Sequence, residues 1–304
     1  MNLEDFRVEK SALVFIVFSF GYTDFMSLRN RVRQCHRIVI KVGSSSLTYP
    51  ETGKLDLSKM EILVRQISSL RNAGKDVVLV SSGAIMVGTH TLGLPRKPHV
   101  LSRKQACAAI GQAKLMMLYQ KFFAEYSQIC GQILLTKYSI MHEKDRFNAK
   151  NTFEELLDLG VVPIVNENDT IATDEIEFGD NDTLSALVAA LIGADLLILL
   201  SDIDGLYDDD PRSNPEACFI EEVVEIDETL LKGAKGSSTA VGTGGMTTKL
   251  NAAQIASANG CDMIIANAAD FHIIEELIAG VPKGTFFVSH KDPSFTMETY
   301  LEEL

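Results

Sequence analysis

The chain has 304 residues, with 28 Lys and Arg against 41 Asp and Glu, which gives a formal net charge of −13. With 46% hydrophobic and 23% charged residues, its composition is that of a globular protein and excludes disordered, collagen-like and disulfide-scaffold classes. The acidic balance argues against a general nucleic-acid binder, which needs a basic face to displace counterions from phosphates. We therefore expect no nucleic-acid partner.

The N-terminal part contains an apolar run, ALVFIVFSF, at residues 12–20. This run is shorter than the roughly 20 residues that span a bilayer, and its flanks do not suit a secretory signal. We expect no membrane partner. We interpret residues 1–36 as an N-terminal extension. Up to about residue 25 it is either non-native or disordered, or it forms a short strand or helix that docks on a partner. Met26 is an alternative start of the protein.

The cysteines are odd in number, scattered, and never in a C-x-x-C pair, which argues against a zinc site and a disulfide framework. We expect buried free thiols in a reducing compartment, and hence a cytoplasmic protein. The cysteines are Cys35, Cys107, Cys130, Cys218 and Cys261.

From Arg37 onward, short apolar runs alternate with segments of helical spacing. We expect strands at 37–42, 76–80, 129–135, 161–165, 195–200 and 263–265, and helices at 57–73, 102–126, 148–159, 182–192, 245–259 and 271–279. Residues 170–178 alternate between apolar and polar, which predicts a β-hairpin. Apolar strands alternating with helices indicate a mostly parallel sheet covered on both faces, with the strand-to-helix loops gathered at one edge.

Two of these loops are rich in small residues. Lys41-Val42-Gly43-Ser44-Ser45-Ser46 follows the first strand, where glycine lets N–H groups face an anion. Lys41 ends an apolar strand, and a buried ammonium needs an anionic partner, although a lysine that reaches the surface is the alternative. Ser81-Ser82-Gly83-Ala84 follows the second strand and opens a helix, which favours a carboxylate or phosphate, or simply a serine N-cap.

A third loop is acidic and rich in asparagine. Residues 166–169 (NEND) follow the fourth predicted strand, and residues 179–182 (GDND) open the next helix. Polar groups against a buried strand end suit an ammonium group or cations, whereas a solvated acidic loop is the alternative. We expect Asp182, at the helix start, to be the least exposed of these residues.

The last two loops carry turn residues and glycines. Residues 201–207 (SDIDGLY) contain turn residues and a tyrosine, and they could lie against the base or ribose of a nucleotide. Residues 242–249 (GTGGMTTK) let the backbone approach phosphates at a helix start, with Lys249 in the first turn, although a flexible surface loop is the alternative. The string is neither a Walker A motif nor a Rossmann fingerprint, and its place late in the chain is wrong for both. The loop after the first strand also lacks the glycine fingerprint of a Rossmann oxidoreductase, which argues against that class.

Together, the five loops hold two lysines, three anion-binding turns and an acidic cluster. Phosphoryl transfer requires such groups, which position the reactants and neutralise the charge on the transferred group. No histidine stands in these loops, and no base lies beside a hydroxyl nucleophile. An acceptor that is already ionised at pH 7, such as a carboxylate, would need no general base.

At these residues the sequence resembles the amino acid kinase family, and within it the members that phosphorylate glutamate. The resemblance covers about residues 37–287, and its motifs are IVIKVGSSSLT, VVLVSSGAI, RKQACAAIGQ, VVPIVNENDTIAT, FGDNDTLSALVA, LLSDIDGLYDDDPRSNP and VGTGGMTTKL. It implies one three-layer αβα sandwich at residues 37–290, followed by a C-terminal tail at 291–304. Many bacterial members of the family carry a C-terminal PUA domain, and we expect none in this chain, which is a departure from that pattern. It further implies ATP-dependent phosphorylation of the γ-carboxylate of L-glutamate, the first step of proline biosynthesis.

The resemblance also assigns roles to residues. It implies that Lys41 and Lys249 neutralise the transferring phosphoryl group and that Asp182 holds both lysines. The implied glutamate-binding residues are Ser82, Gly83, Asp169 and Asn181. The implied ATP-binding residues are Lys41, Gly43, Ser44, Ser201, Asp202, Thr243, Gly244, Gly245, Met246, Thr247, Thr248 and Lys249, with Mg²⁺ held mainly by the ATP phosphates.

Other kinases with the same fold are alternative hypotheses. N-acetylglutamate kinase, aspartokinase and uridylate kinase are rivals, but the NENDTIAT and GDND strings favour a free α-amino acid. A non-catalytic sensor of amino acids or nucleotides is a rival of another class, against which Lys41, Asp182 and Lys249 count. The resemblance further implies a homo-oligomer, either a dimer or a tetramer, and feedback inhibition by proline.

Overall fold

An eight-stranded sheet forms the centre of the computed structural model, which describes residues 22–171, 181–209, 211, 213–227, 230, 245–297 and 300. The strands are β1 (Arg37–Val42), β2 (Asp76–Ser81), β3 (Cys130–Leu135), β4 (Val162–Glu167), β5 (Leu196–Ser201), β6 (Leu206–Tyr207), β7 (Phe219–Ile220), β8 (Glu222–Val223), β9 (Asp262–Asn267) and β10 (Thr285–Phe287). Their order in the sheet is β3-β4-β2-β1-β5-β9-β10-β8, and β6 pairs with β7 separately. Within the large sheet, β10 runs antiparallel to β9 and the other pairs are parallel.

Helices connect the strands. In the described part of the chain they are α1 (Tyr22–Gln34), α2 (Leu57–Asn72), α3 (Ala84–Thr91), α4 (Leu101–Glu125), α5 (Lys137–Met141), α6 (Glu143–Asp158), α7 (Asn181–Ile192), α8 (Met246–Ala258) and α9 (Ile273–Ile278), with a 3₁₀ turn at Ser45–Leu47. None of the helices in the described part of the chain is long and apolar enough to cross a membrane.

The sheet separates two hydrophobic cores. In β1, Ile38 and Ile40 pack on one face with residues of α2 and α4, while Val39 packs on the other with residues of α6, α7 and α8. Successive residues of a strand point to opposite faces of the sheet. Because helices cover both faces, the residues on both faces have to be apolar. The prediction of a three-layer αβα sandwich around a mostly parallel sheet is therefore confirmed.

The predicted strands and helices all occur, β1 with the predicted ends and the others with shifted ends. The helix predicted at 148–159 begins earlier, at Glu143, and the strand predicted at 161–165 continues to Glu167. Asn166 and Glu167, predicted as loop, are thus strand residues that pair with Leu134 and Leu135 of β3. The sequence patterns do not predict α1, α5 or the short strands β6, β7, β8 and β10, and they predict only the start of α3. The hairpin predicted at 170–178 lies outside the described residues, apart from residues 170 and 171, which form a turn.

The N-terminal extension includes α1, which packs on the domain. Arg29 and Val32 of α1 are buried, and Arg29 donates hydrogen bonds to the carbonyls of residues near β8 and β10. Residues 1–21 lie outside the described part, so the proposed extent of the extension stays a prediction. Four of the free cysteines are buried as expected, whereas Cys218 is exposed, because it lies next to the short strand β7 at the surface.

Candidate active site

The carboxyl ends of β1, β2, β4 and β5 meet at one edge of the sheet. These strands are neighbours and run parallel, so the loops that follow them lie side by side. Helices α7 and α8 contribute their first turns to the same edge, since Asp182 of α7 contacts both Lys41 of β1 and Lys249 of α8. The topology therefore gathers residues that are far apart in the sequence.

The centre of this edge is a carboxylate held between two ammonium groups. Lys41 Nζ lies 2.6 Å from Asp182 Oδ1, and Lys249 Nζ lies 3.1 Å from Asp182 Oδ2. Their exposed fractions are 9% for Lys41, 1% for Asp182 and 5% for Lys249. Among the described residues of the acidic loop Asp182 is the least exposed, as predicted, while residues 172–180 lie outside the described part. The three charged groups carry a net charge of about +1.

The charge state of Asp182 follows from its neighbours. Burial acts to raise the pKa of this carboxyl, but the charges and hydrogen bonds of Lys41 and Lys249 outweigh it, so the pKa lies below its ordinary value. Asp182 is therefore ionised at neutral pH. A permanently charged carboxylate can hold two ammonium groups but makes a poor proton donor.

Two glycine-containing turns shape the surroundings of the lysines. Gly245 caps α8, and Thr248 in its first turn donates to the Gly245 carbonyl oxygen at 2.8 Å and to Asp182 Oδ2 at 3.3 Å. After β1, the position that a Cβ would take at Gly43 lies 3.8 Å from Lys41 Nζ. The loop that contains Gly43 and Ser44 therefore runs beside the Lys41 ammonium.

The loop after β2 packs against the loop after β1. Ser82 N donates to the carbonyl oxygen of Val42 at 3.2 Å, and a Cβ at Gly83 would lie 3.5 Å from the Cβ of Ser44. Gly83 caps α3 with a φ of 106°, a left-handed conformation that glycine adopts without strain. Ser82 and Gly83 are thereby fixed next to the Lys41 loop.

A chain of side-chain hydrogen bonds joins Ser82 to the start of α7. Asn181 Nδ2 donates to Ser82 Oγ at 2.7 Å and to Asn166 Oδ1 at 2.9 Å. Asn166 Nδ2 in turn donates to Gln112 Oε1 of α4 at 3.1 Å. Asp169 lies in the turn that follows β4, the strand that carries Asn166. Ser82, Asn166 and Asn181 thus form one polar wall near the lysine pair.

A second polar group lies at the ends of β5 and β9. Ser201, predicted as loop, is the last residue of β5, and its Oγ donates to Asp202 Oδ1 at 3.0 Å. Its neighbour in register, Asn267, ends β9 and donates to Asp204 Oδ1 at 2.7 Å. This places Ser201 and Asp202 at the end of the strand next to the one that carries Lys41.

Most of the predicted site residues are therefore brought to one edge of the sheet. Met246, Thr247, Thr248 and Lys249 form the first turn of α8, whereas Thr243 and Gly244 lie outside the described residues. Gln112 was missed, because a glutamine in the middle of a helix carries no sequence signal for a site. Among the described residues, no three His, Cys, Asp or Glu side chains are grouped to hold a metal ion, so the prediction that Mg²⁺ is held through ATP stays a prediction.

Comparison with known proteins places the chain among kinases. Residues 36–267 match the model of the amino acid kinase family. The glutamate 5-kinase of Carboxydothermus hydrogenoformans is 55% identical over 264 residues, which cover 87% of this chain and 71% of the relative. The glutamate 5-kinase of Clostridium perfringens is 50% identical over 268 residues, which cover 87% of this chain and 99% of the relative.

Solved structures share the fold at low sequence identity. Carbamate kinase from Giardia lamblia, bound to AMP-PNP, matches with a TM-score of 0.59 at 20% identity over 85% of this chain and 100% of its own. UMP kinase from Ureaplasma parvum matches with a TM-score of 0.59 at 16% identity, over 84% of this chain and 99% of its own. The family model, which matches more than half of the chain, and the relatives at 50% and 55% identity show that the chain belongs to the amino acid kinase family.

Proposed function

We propose that this chain is a glutamate 5-kinase, which transfers the γ-phosphoryl group of ATP to the γ-carboxylate of L-glutamate. The product is L-glutamyl 5-phosphate, and the reaction is the first step of proline biosynthesis. The observation that carries the proposal is the buried Lys41–Asp182–Lys249 group at the carboxyl edge of the sheet. The relatives at 50% and 55% identity support the choice of glutamate as the acceptor.

The two lysines act on the charge of the transferring group. A carboxylate oxygen of glutamate attacks the γ-phosphorus, the bond from phosphorus to the bridging oxygen breaks, and its electron pair leaves on ADP. Negative charge is spread over the phosphoryl oxygens in the transition state, where ammonium groups stabilise it. We assign this role to Lys41 and Lys249, whose Nζ atoms are fixed by opposite oxygens of Asp182.

The reaction needs no general base, since the γ-carboxylate is already ionised at neutral pH. Asp182 fits this requirement: with its pKa lowered, it stays charged and orients the lysines. Catalysis therefore rests on positioning and on electrostatic stabilisation rather than on proton transfer.

The polar wall of Ser82, Asn166 and Asn181 is the proposed glutamate site. Its hydroxyl and amide groups can bind the α-carboxylate and the α-ammonium, and Asp169 supplies a negative charge for the ammonium. Gly83 adds a backbone N–H at the start of α3, where the helix dipole favours a carboxylate.

The other side of the lysine pair is the proposed ATP site. Gly43 and Ser44 would bind phosphates through the loop after β1, the segment from Thr243 to Lys249 would surround the phosphates, and Ser201 and Asp202 would contact the nucleoside. Mg²⁺ bound to the ATP phosphates would neutralise part of their charge.

Three further properties belong to the proposal. We expect a cytoplasmic homo-oligomer, a dimer or tetramer, to which the exposed apolar residues Ile110 and Met117 on α4 would contribute. We also expect inhibition by proline. Light scattering of the purified chain measures the assembly, and adding L-proline to the assay below tests the inhibition.

The test is ADP release combined with hydroxamate trapping of the acyl phosphate, run with L-glutamate, N-acetyl-L-glutamate and L-aspartate at equal concentrations. We expect turnover and a trapped hydroxamate with L-glutamate, and at most a small fraction of that rate with the other two. Turnover with another acceptor in the absence of turnover with glutamate would overturn the assignment. Loss of turnover with all three acceptors would instead favour a sensor.

A further inference from the structure

Helix α4 contacts the proposed glutamate site through Gln112, and it contacts the adjoining first turn of α3 and end of β2 through Gly111 and Tyr119. A Cβ at Gly111 would lie 1.8 Å from the carbonyl oxygen of Ala84, so α4 touches the first turn of α3. Gln112 accepts a hydrogen bond from Asn166 at 3.1 Å, and the Tyr119 hydroxyl lies 2.7 Å from Ser81 Oγ. Of these residues, Gln112 is the one joined by side chains to the polar wall.

The hydrogen bonds from Gln112 to Ser82 run in one direction. Gln112 presents its acceptor oxygen, so Asn166 turns its nitrogen toward α4 and its oxygen toward Asn181. Asn181 then turns its amide nitrogen toward Asn166 and Ser82, and its two N–H groups donate one hydrogen bond to each. Gln112 and Asn166 are 8% and 3% exposed, so an unpaired amide hydrogen there would be costly.

This direction decides which groups face a ligand. With both N–H groups of Asn181 engaged, the part of its amide left for a substrate group is the carbonyl oxygen, which accepts from an ammonium. Ser82 Oγ already accepts from Asn181, so its own proton is available for a carboxylate. The wall therefore offers one acceptor and one donor, which matches the ammonium and the carboxylate of a free α-amino acid.

We propose that Gln112 is a positioning residue that makes the site selective for an α-amino group, by fixing the direction of the hydrogen bonds through Asn166 to Asn181. The inference rests on the proposed function. Without the acceptor at position 112, Asn166 can turn over to avoid a buried unpaired N–H. Asn181 would then turn over with it and present its nitrogen to the substrate ammonium.

The test compares L-glutamate with glutarate, which has the same two carboxylates and no amino group. In Gln112→Met, a side chain of similar length that accepts no strong hydrogen bond, we expect KM for L-glutamate to rise about tenfold, or about 1.4 kcal/mol. The kcat, the KM for ATP and kcat/KM for glutarate should change less than about twofold. In Gln112→Glu, which can only accept when ionised, the preference for glutamate over glutarate should stay within about threefold of the wild type.

Tyr119→Phe is the matched control, since it removes another buried hydrogen bond of the same helix, to Ser81. It should lower the melting temperature and leave the preference for glutamate over glutarate unchanged. An equal loss for glutamate and glutarate in Gln112→Met, or a larger loss of preference in Gln112→Glu than in Gln112→Met, would overturn the inference.

Calorimetric binding separates this inference from the proposed function. If the wild type binds L-glutamate but does not phosphorylate it, the proposed kinase function is wrong. The role of Gln112 is then still tested by the binding preference of Gln112→Met for glutamate over glutarate. A lost preference supports the role of Gln112, and a retained one contradicts it. If the wild type does not bind L-glutamate, both proposals fail.

Discussion

Lys41 and Lys249 bind opposite oxygens of one carboxylate, although they come from the first strand of the sheet and from a helix near the end of the domain. Like charges this close would repel each other in a dry interior, and Asp182 between them makes the arrangement stable. The pair is therefore a preformed positive centre. A phosphoryl group would meet two ammonium groups already in place, so little reorganisation is required during the reaction.

Removal of one lysine tests this centre. Lys249→Ala should lower kcat by roughly 10²–10³-fold, because one of two groups that stabilise the developing charge is lost. The fold should persist, since Asp182 keeps its contact with Lys41. Steady-state kinetics measures the rate, and circular dichroism checks the fold.

Lys283→Ala is the control for this variant, since Lys283 is half exposed and pairs with Glu276 at the surface. Its kcat should equal that of the wild type. Near-normal turnover of Lys249→Ala would remove Lys249 from the mechanism.

Asp182 should contribute to stability as well as to activity. Asp182→Asn keeps the shape of the side chain but leaves two buried ammonium groups without their counter-charge, which costs about 3–5 kcal/mol for a broken buried ion pair. Urea unfolding should show a lower midpoint with an unchanged slope. Asp270→Asn, at an exposed position, should leave the midpoint unchanged, and the same outcome for Asp182→Asn would show that the ion pairs do not stabilise the fold.

The lowered pKa of Asp182 gives this contribution a defined pH dependence. Because the folded pKa lies below the ordinary value of 3.8, the contribution is fully present above that value. It is lost as the pH falls through the still lower folded pKa. The difference in unfolding free energy between the wild type and Asp182→Asn should therefore be constant from pH 7 to about pH 5 and shrink in more acidic solution. A difference that grows on acidification would contradict the lowered pKa.

The sequence predicted the sheet and the charged centre, because both have local signals. Strands such as DLLILL are apolar enough to be recognised alone, and Lys41, Asp182 and Lys249 each stand at the end of a strand or the start of a helix. That the three side chains meet is a property of the strand order, which places β1 between β2 and β5. Apolar patterns do not encode this order.

Gln112 and Asn166 show what the sequence does not reveal. Asn166 stands after an apolar run and was predicted as loop, although the ladder with β3 continues through it to Glu167. Gln112 lies inside a helix among small and apolar residues, where a polar side chain is usually a solvent-facing one. Only the packing of α4 against the sheet turns it toward Asn166.

The glycine at position 111 allows that packing. In Gly111→Ala the new Cβ would lie 1.8 Å from the Ala84 carbonyl oxygen and 2.5 Å from Gly88 N, both backbone atoms that cannot move alone. We expect a loss of about 1–3 kcal/mol of stability from overpacking, together with a higher KM for glutamate as α3 shifts. In Gly43→Ala the nearest atoms would lie 3.8 Å away, so its melting temperature should stay close to that of the wild type. Equal melting temperatures for the two variants would contradict the close approach of the helices.

Arg29 ties α1 to the far end of the sheet, and its replacement tests whether this helix is part of the folded domain. The guanidinium donates to the carbonyl oxygens of Lys283 at 2.9 Å, Glu221 at 2.9 Å and Gly284 at 2.8 Å, and it lies 5.7 Å from the centre of the Phe286 ring. A lysine keeps the charge but cannot reproduce the planar fork of donors. Arg29→Lys should therefore lower the unfolding free energy by about 2–3 kcal/mol, whereas Arg33→Lys, at an exposed position with one bond to the Ala279 carbonyl, should lower it by less than about 1 kcal/mol. Urea unfolding measures both values, and hydrogen exchange at β10 should rise in Arg29→Lys alone. If the two variants are equally stable, α1 does not stabilise the domain through Arg29.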